Sequence, residues 1–126
     1  MGAADLVAQR VTAGQALAEQ ADALAAASRA MARAFAAGGT LFAFGSGLSA
    51  TDAQHVAVEF VHPVTVGKRA LPAMSLVSDA HFSHQLEQLA RPGDIALGLA
   101  ADGNDDAVRP ALTRARERGL LTVALT

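Results

Sequence analysis

Apolar and polar positions follow two different rhythms along this chain, and the rhythm changes near residue 38. Over residues 4–37 the larger apolar side chains, Val7, Val11, Leu17, Leu24, Met31 and Phe35, fall near one helical stripe. Leu17, Leu24 and Met31 keep heptad spacing. The stretch is rich in Ala, lacks Pro and ends at Gly38-Gly39, so the spacing predicts one long helix over 4–37. Alanine fills the rest of that face and lets a second helix approach closely. So long a helix outruns what a small domain covers. The same face therefore predicts a homo-oligomer interface, dimer or tetramer.

From residue 39, short apolar runs alternate with amphipathic stretches. Strand 40–44 leads to helix 49–61, strand 71–77 to helix 81–90, and strand 94–100 to helix 105–118; strand 120–125 comes last. This alternation predicts the α/β class, a three-layer α/β/α arrangement with about four parallel strands, as a single domain over 1–126 with its alternating core at 39–126. The last strand is expected at a sheet edge, covered by a partner subunit or by the N-terminal helix. Ligands of such sheets bind at the carboxyl ends of the strands. That points to the loops at 45–49 and 101–105.

Composition narrows the picture by exclusion. With 126 residues the chain is long enough for a core without staples. It is 52% hydrophobic, 17% charged and carries a net charge of −2, which favours a compact globule over disorder. Near-neutral charge, no basic cluster and 4% aromatic residues argue against a nucleic-acid partner. The absence of Cys excludes disulfides, thiolate metal sites and a cysteine nucleophile. Residues 1–5 lack the features of a signal peptide, and the apolar runs are too short to span a bilayer. A soluble, cytoplasmic protein with no membrane partner is the expectation.

The densest chemistry lies at residues 45–59. A glycine loop feeding a helix N-terminus offers unpaired N–H groups and a positive dipole end to an anion. The following helix sets His55 and Glu59 four residues apart on one face, an acid/base or metal pair expected within a turn of that cradle. A plainer account makes Ser49 the helix N-cap and the His55–Glu59 pair an ordinary surface contact. Residues 105–106, Asp-Asp, suit a helix N-terminus without any ligand. Phe82, Leu86 and Leu89 mark a buried stripe that leaves His81 and His84 on a solvated face.

Residues 45–60, GSGLSATDAQHVAVEF, resemble the hallmark GNGGSAADAQHFAAEF of the phosphoheptose isomerase branch of the sugar isomerase (SIS) domain. The likeness continues through Ala70-Leu71-Pro72-Ala73-Met74-Ser75-Leu76, Phe82-Ser83, Gln85 and Arg91-Pro92-Gly93-Asp94 to residues 119–126. It implies the flavodoxin-like SIS fold, C-terminally shortened relative to the family. It also implies a sugar-phosphate site built from Ser46, Gly47, Ser49 and Asp52 together with Asp102, Gly103 and Asn104. Glu59 with His55 would be catalytic, and in metal-containing members that pair is half of a zinc site. Two donors fall short of the about three or four protein ligands zinc takes, although His62 lies three residues beyond Glu59.

Departures from the family pattern carry as much information. The motif's Asn is Ser46, and its second Gly is Leu48. Where the family has Ser-Thr-Ser-Gly-Asn-Ser, this chain has Ala100-Ala101-Asp102-Gly103-Asn104-Asp105. A carboxylate about 4 Å from a phosphate costs roughly 4 kcal/mol at an effective dielectric near 20. That is about what a millimolar ligand gains on binding. The segment 75–80 is shorter than in the family, and a final family helix is not matched. The expectation is a degenerate SIS protein, a pseudoenzyme acting as an oligomeric carbohydrate-derivative-binding or assembly module. The alternatives are an active isomerase completed across subunits and a metal-binding accessory protein.

Overall fold

A computed structural model of the chain describes residues 1–77 and 81–126. Of segment 75–80, residues 78–80 lie outside the described residues. Two compact units are present, Met1–Ala30 and Met31–Thr126.

The first unit is helical. Helix α1 (Ala3–Ala18) begins where Asp5 Oδ2 accepts the Gly2 N–H at 2.9 Å. Helix α2 (Ala21–Ala36) starts in this unit and runs on into the second. One continuous helix over 4–37 was expected; two are found, separated by a turn at residues 19–20. There the Gln20 N–H donates to the Leu17 carbonyl at 3.0 Å, three residues back. The helical ladder resumes with the Leu24 N–H on the Gln20 carbonyl at 3.0 Å. No Gly or Pro marks this break in the sequence. Asp22 in the first turn of α2 favours a new N-terminus there through the helix dipole.

The second unit is built on a four-stranded sheet ordered β2-β1-β3-β4, with all neighbours parallel. Its strands are β1 (Leu41–Gly45), β2 (Ala73–Ser75), β3 (Ile95–Leu99) and β4 (Leu121–Leu125). Helices α3 (Ser49–Val61), α4 (Phe82–Leu89) and α5 (Val108–Glu117) connect them. Strand β2 is shorter than the expected 71–77, because Leu71 turns away to pair its N–H with the Phe60 carbonyl at 2.9 Å.

The central strands bury both faces, which is why their sequences read as unbroken apolar runs. Leu41, Ile95 and Leu97 point to one side and pack with Met31, Ala34 and Phe35 of α2 and with Val56 and Phe60 of α3. The Phe35 and Phe60 rings lie 5.4 Å apart. Phe42, Phe44 and Ala96 point to the other side, against Phe82 and Leu86 of α4 and Val108, Ala111 and Ala115 of α5. There the Phe44 and Phe82 rings are 5.1 Å apart. This is the expected three-layer α/β/α arrangement.

Leu89, expected in the buried stripe of α4, is half exposed, and Ala90 is buried instead. The helix ends at Leu89 and the chain becomes extended at Ala90 (φ −91°, ψ 153°), which moves the last inward position one residue on. Strand β4 pairs only with β3 among the described residues, and its last two residues are exposed. No described helix is long and apolar enough to cross a membrane.

Candidate functional site at the strand-order reversal

The chain leaves β1 toward β2 on one side and returns, through α4, to β3 on the other. Strand order therefore reverses between β1 and β3. The loops leaving their carboxyl ends, residues 45–49 and 100–107, border the crevice where open α/β sheets bind ligands.

The first loop is shaped by close approach. A Cβ on Gly45 would lie 2.7 Å from the Leu99 carbonyl oxygen and 2.8 Å from Ser49 Cβ. Gly47 has φ 56°, in the left-handed region. The Ser49 N–H donates to the Ser46 carbonyl at 3.0 Å, so the turn winds directly into α3. Ser49 is accordingly the first helical residue and not the N-cap; Leu48 precedes it with helical angles and offers no side-chain cap. A capping serine needs non-helical backbone angles, which this turn denies it. The Leu48 side chain is 92% exposed.

The second loop is organised by its carboxylates. Asp105 Oδ1 accepts the Ala107 N–H at 2.9 Å, the Val108 N–H at 2.8 Å and the Ser46 hydroxyl at 3.3 Å. One oxygen thus caps α5 and ties the two loops together across the crevice. Asp102 Oδ1 accepts the Asn104 N–H at 2.8 Å, closing a local turn. Asp102, Gly103 and Asp105 border a cavity of about 250 Å³ whose apolar wall includes Gly98, Val108 and Leu112. A Cβ on Gly103 would meet open space.

Asp52, His55 and Glu59 lie elsewhere. They share a second cavity of about 310 Å³ with Val56 and Phe60. His55 Nε2 and Glu59 Oε1 are 3.2 Å apart, with side chains 71% and 44% exposed. The cradle and this pair were expected within one turn of each other; none of residues 45–49 lines the cavity of the pair. His55 is six residues past Ser49, about 9 Å along the helix axis at 1.5 Å per residue.

The residues present do not by themselves fit zinc. Among the described residues no group of three His, Asp or Glu side chains is placed to hold a metal. His62 does not join the pair, because α3 ends at Val61 and His62 leaves helical geometry (φ −127°, ψ 72°) before Pro63. His81 and His84 are exposed at the start of α4.

Two residues that matter here were not candidates from sequence, and a third was only partly read. Asp105 was expected as a helix-terminal acid or as a carboxylate in place of a family hydroxyl; that it reaches Ser46 depends on two strands paired 54 residues apart, Leu41 with Ile95. Arg109 borders the cavity beside Asp102 and Asp105, and its residue type gave no signal; that cavity also reaches Ala124 and Thr126 at the end of β4. Asp94 is buried, with Oδ1 accepting the Thr40 N–H and Oδ2 the Arg91 N–H, both at 2.8 Å. It joins the starts of β1 and β3.

Comparison with known proteins agrees with this architecture. The SIS domain family profile matches residues 6–126. A phosphoheptose isomerase of Pelobacter propionicus is 44% identical over 95 residues, covering 64% of this chain and 50% of its own length. That of Aquifex aeolicus is 37% identical over 97 residues, covering 66% and 51%. The chain spans about half the length of the curated relatives it matches. The solved structure of a phosphoheptose isomerase from Francisella tularensis aligns with a TM-score of 0.81 and 25% identity, over all of this chain and 76% of the other. A phosphoheptose isomerase from Neisseria gonorrhoeae aligns with a TM-score of 0.66 and 29% identity, over 94% and 73%.

Proposed function

This chain belongs to the SIS domain family, and from that premise we propose that it is a phosphoheptose isomerase-like module that binds a carbohydrate derivative without turning it over. The ligand lies in the crevice between residues 45–49 and 100–107. The observation that carries this reading is the convergence of those two loops at the reversal of strand order, joined by the 3.3 Å contact of Ser46 Oγ with Asp105 Oδ1.

Loss of turnover follows from what the loops lack. Aldose–ketose isomerisation needs the substrate held in register while a base removes a carbon-bound proton and an acid moves protons between oxygens. At positions 100, 101, 102 and 105, where the resemblance implies hydroxyls, this chain has two methyl groups and two carboxylates. Glu59 and His55 remain as an acid/base pair in their own cavity. A sugar bound without a phosphate grip is not held in register with that pair.

The module works as a homo-oligomer. Val7, Val11 and Leu17 on α1 are each more than half exposed, and α1 contains no buried residue. A partner subunit also covers the open edge of β4.

The test takes the wild-type protein with sedoheptulose 7-phosphate, following interconversion by NMR, and with unphosphorylated sedoheptulose by calorimetry. No turnover and millimolar-range binding of the free sugar are expected. Turnover that disappears in Glu59→Gln would make the chain an active isomerase. Absence of binding to any sugar would remove the module reading itself.

A further inference from the structure

We infer that Asp105 is a built-in anion that fills the anion position of the crevice and sets its specificity against phosphorylated ligands. The inference rests on the crevice being the ligand site. It names the ligand class that site accepts: sugars and polyols without an anionic group.

The argument begins at the first turn of α5. A helix N-terminus at the carboxyl edge of a parallel sheet holds anions because its first N–H groups have no partner within the helix. Here those groups are already taken. Asp105 Oδ1 accepts the N–H of Ala107 at 2.9 Å and of Val108 at 2.8 Å, and the Asp105 backbone carbonyl accepts that of Arg109 at 3.0 Å. One residue answers three consecutive donors. The same carboxylate oxygen also takes the hydroxyl of Ser46 at 3.3 Å, the polar side chain that the facing loop sends across. Asp105 therefore makes the contacts a ligand phosphate would make: helix N–H groups from one side and a hydroxyl from the other.

A phosphate entering beside it finds the N–H groups at the start of α5 occupied and meets a like charge at close range. Asp102 and Arg109 border the same cavity as Asp105, so two carboxylates there stand against one guanidinium. At about 4 Å and an effective dielectric near 20, a single like-charge pair is enough to weaken binding by on the order of a hundredfold or more. Sugar hydroxyls carry no such penalty, since a carboxylate accepts hydrogen bonds from them. Asp105 works as the specificity determinant and Ser46 as the latch that fixes its position.

Inorganic phosphate, titrated by calorimetry, tests this against the wild-type chain and three variants whose folding is checked by circular dichroism. Asp105→Asn keeps the side-chain oxygen that caps α5 and removes the charge; it is expected to bind phosphate at least tenfold more tightly than wild type. Asp105→Ser also shortens the side chain and should gain at least as much. Ser46→Ala leaves the carboxylate on the helix and should gain nothing. Sub-millimolar phosphate binding by the wild type overturns the inference. So does phosphate binding by both folded Asp105 variants within threefold of wild type, or a gain in Ser46→Ala equal to that of Asp105→Asn. Because the probe contains no sugar, these outcomes are independent of whether sedoheptulose binds, which is the result that decides the module reading.

Discussion

Two glycines of the crevice differ sharply in what they permit. At Gly45 a methyl group would sit 2.7 Å from the Leu99 carbonyl oxygen and 2.9 Å from that of Ser49, both backbone atoms that cannot swing aside. Gly45→Ala should therefore cost about 1–3 kcal/mol, the usual range for overpacking. Gly103→Ala, with open space around the added carbon, should stay within about 0.5 kcal/mol. Urea denaturation of both variants checks the contrast, and equal losses would show that the loop moves to relieve the Gly45 contact. The sequence, which offered Gly103 as a ligand-site residue and Gly45 as a loop glycine, could not separate them in this respect, since what surrounds a Cβ is decided by neighbours distant along the chain. Asp94 was illegible for the same reason. Its carboxylate serves N–H groups at Thr40 and Arg91, and no local pattern states that β1 and β3 begin side by side.

Individual elements were far more legible. Helix α3 spans 49–61 as its periodicity indicated, and the strands begin and end within a residue or so of their apolar runs, except where β2 is shortened. What periodicity could not supply is how helices fasten to one another. On the outer face of the sheet, Arg118 after α5 donates to the Leu86 carbonyl at 3.0 Å and the Glu87 carbonyl at 3.3 Å, satisfying the end of α4. Arg114 Nε meets Glu87 Oε1 at 2.9 Å. The hydrogen bond from Arg114 holds the Glu87 carboxyl below its ordinary value of 4.5, with the charges of Arg114, Arg118 and His84 acting the same way. A carboxyl lowered on folding contributes stability that is present above its unfolded value and lost as pH falls through the folded one. Wild type should thus be slightly more stable than Glu87→Gln at neutral pH, and the two should converge in acid below the carboxylate range. The pair is exposed, so added salt should shrink the difference as well. Thermal melts across pH at two ionic strengths measure this, and a gap that widens in acid would contradict the assignment.

At the scale of the whole molecule, the sheet unit is accounted for by its own two-sided core, whereas the unit Met1–Ala30 holds no comparable core. Parallel strands and three layers were legible from alternation; the order β2-β1-β3-β4 was not, because nothing in an apolar run states which neighbour it takes. The expected N-terminal stripe is divided by the turn at residues 19–20: Val7, Val11 and Leu17 are exposed on α1, whereas Met31 and Phe35 of α2 pack on the sheet. The proposed assembly rests on the exposed part. A lone helix of α1's 16 residues is marginal in water, and an exposed apolar stripe adds nothing to its stability. Burying such a stripe gains roughly 25 cal/mol for each Å² removed from water, and a second copy of the chain presents a matching stripe under two-fold symmetry. Light scattering after size exclusion should give a dimer or tetramer mass for the wild type at micromolar concentration. Leu17→Asp, which puts a charge in the middle of the stripe, should shift it to monomer by at least tenfold in dissociation constant. Circular dichroism should keep the sheet signal in that variant, because Leu17 lies outside the sheet unit. A wild type that runs as a monomer at 100-fold higher concentration, or a variant that keeps the wild-type mass, would leave the stripe without this role.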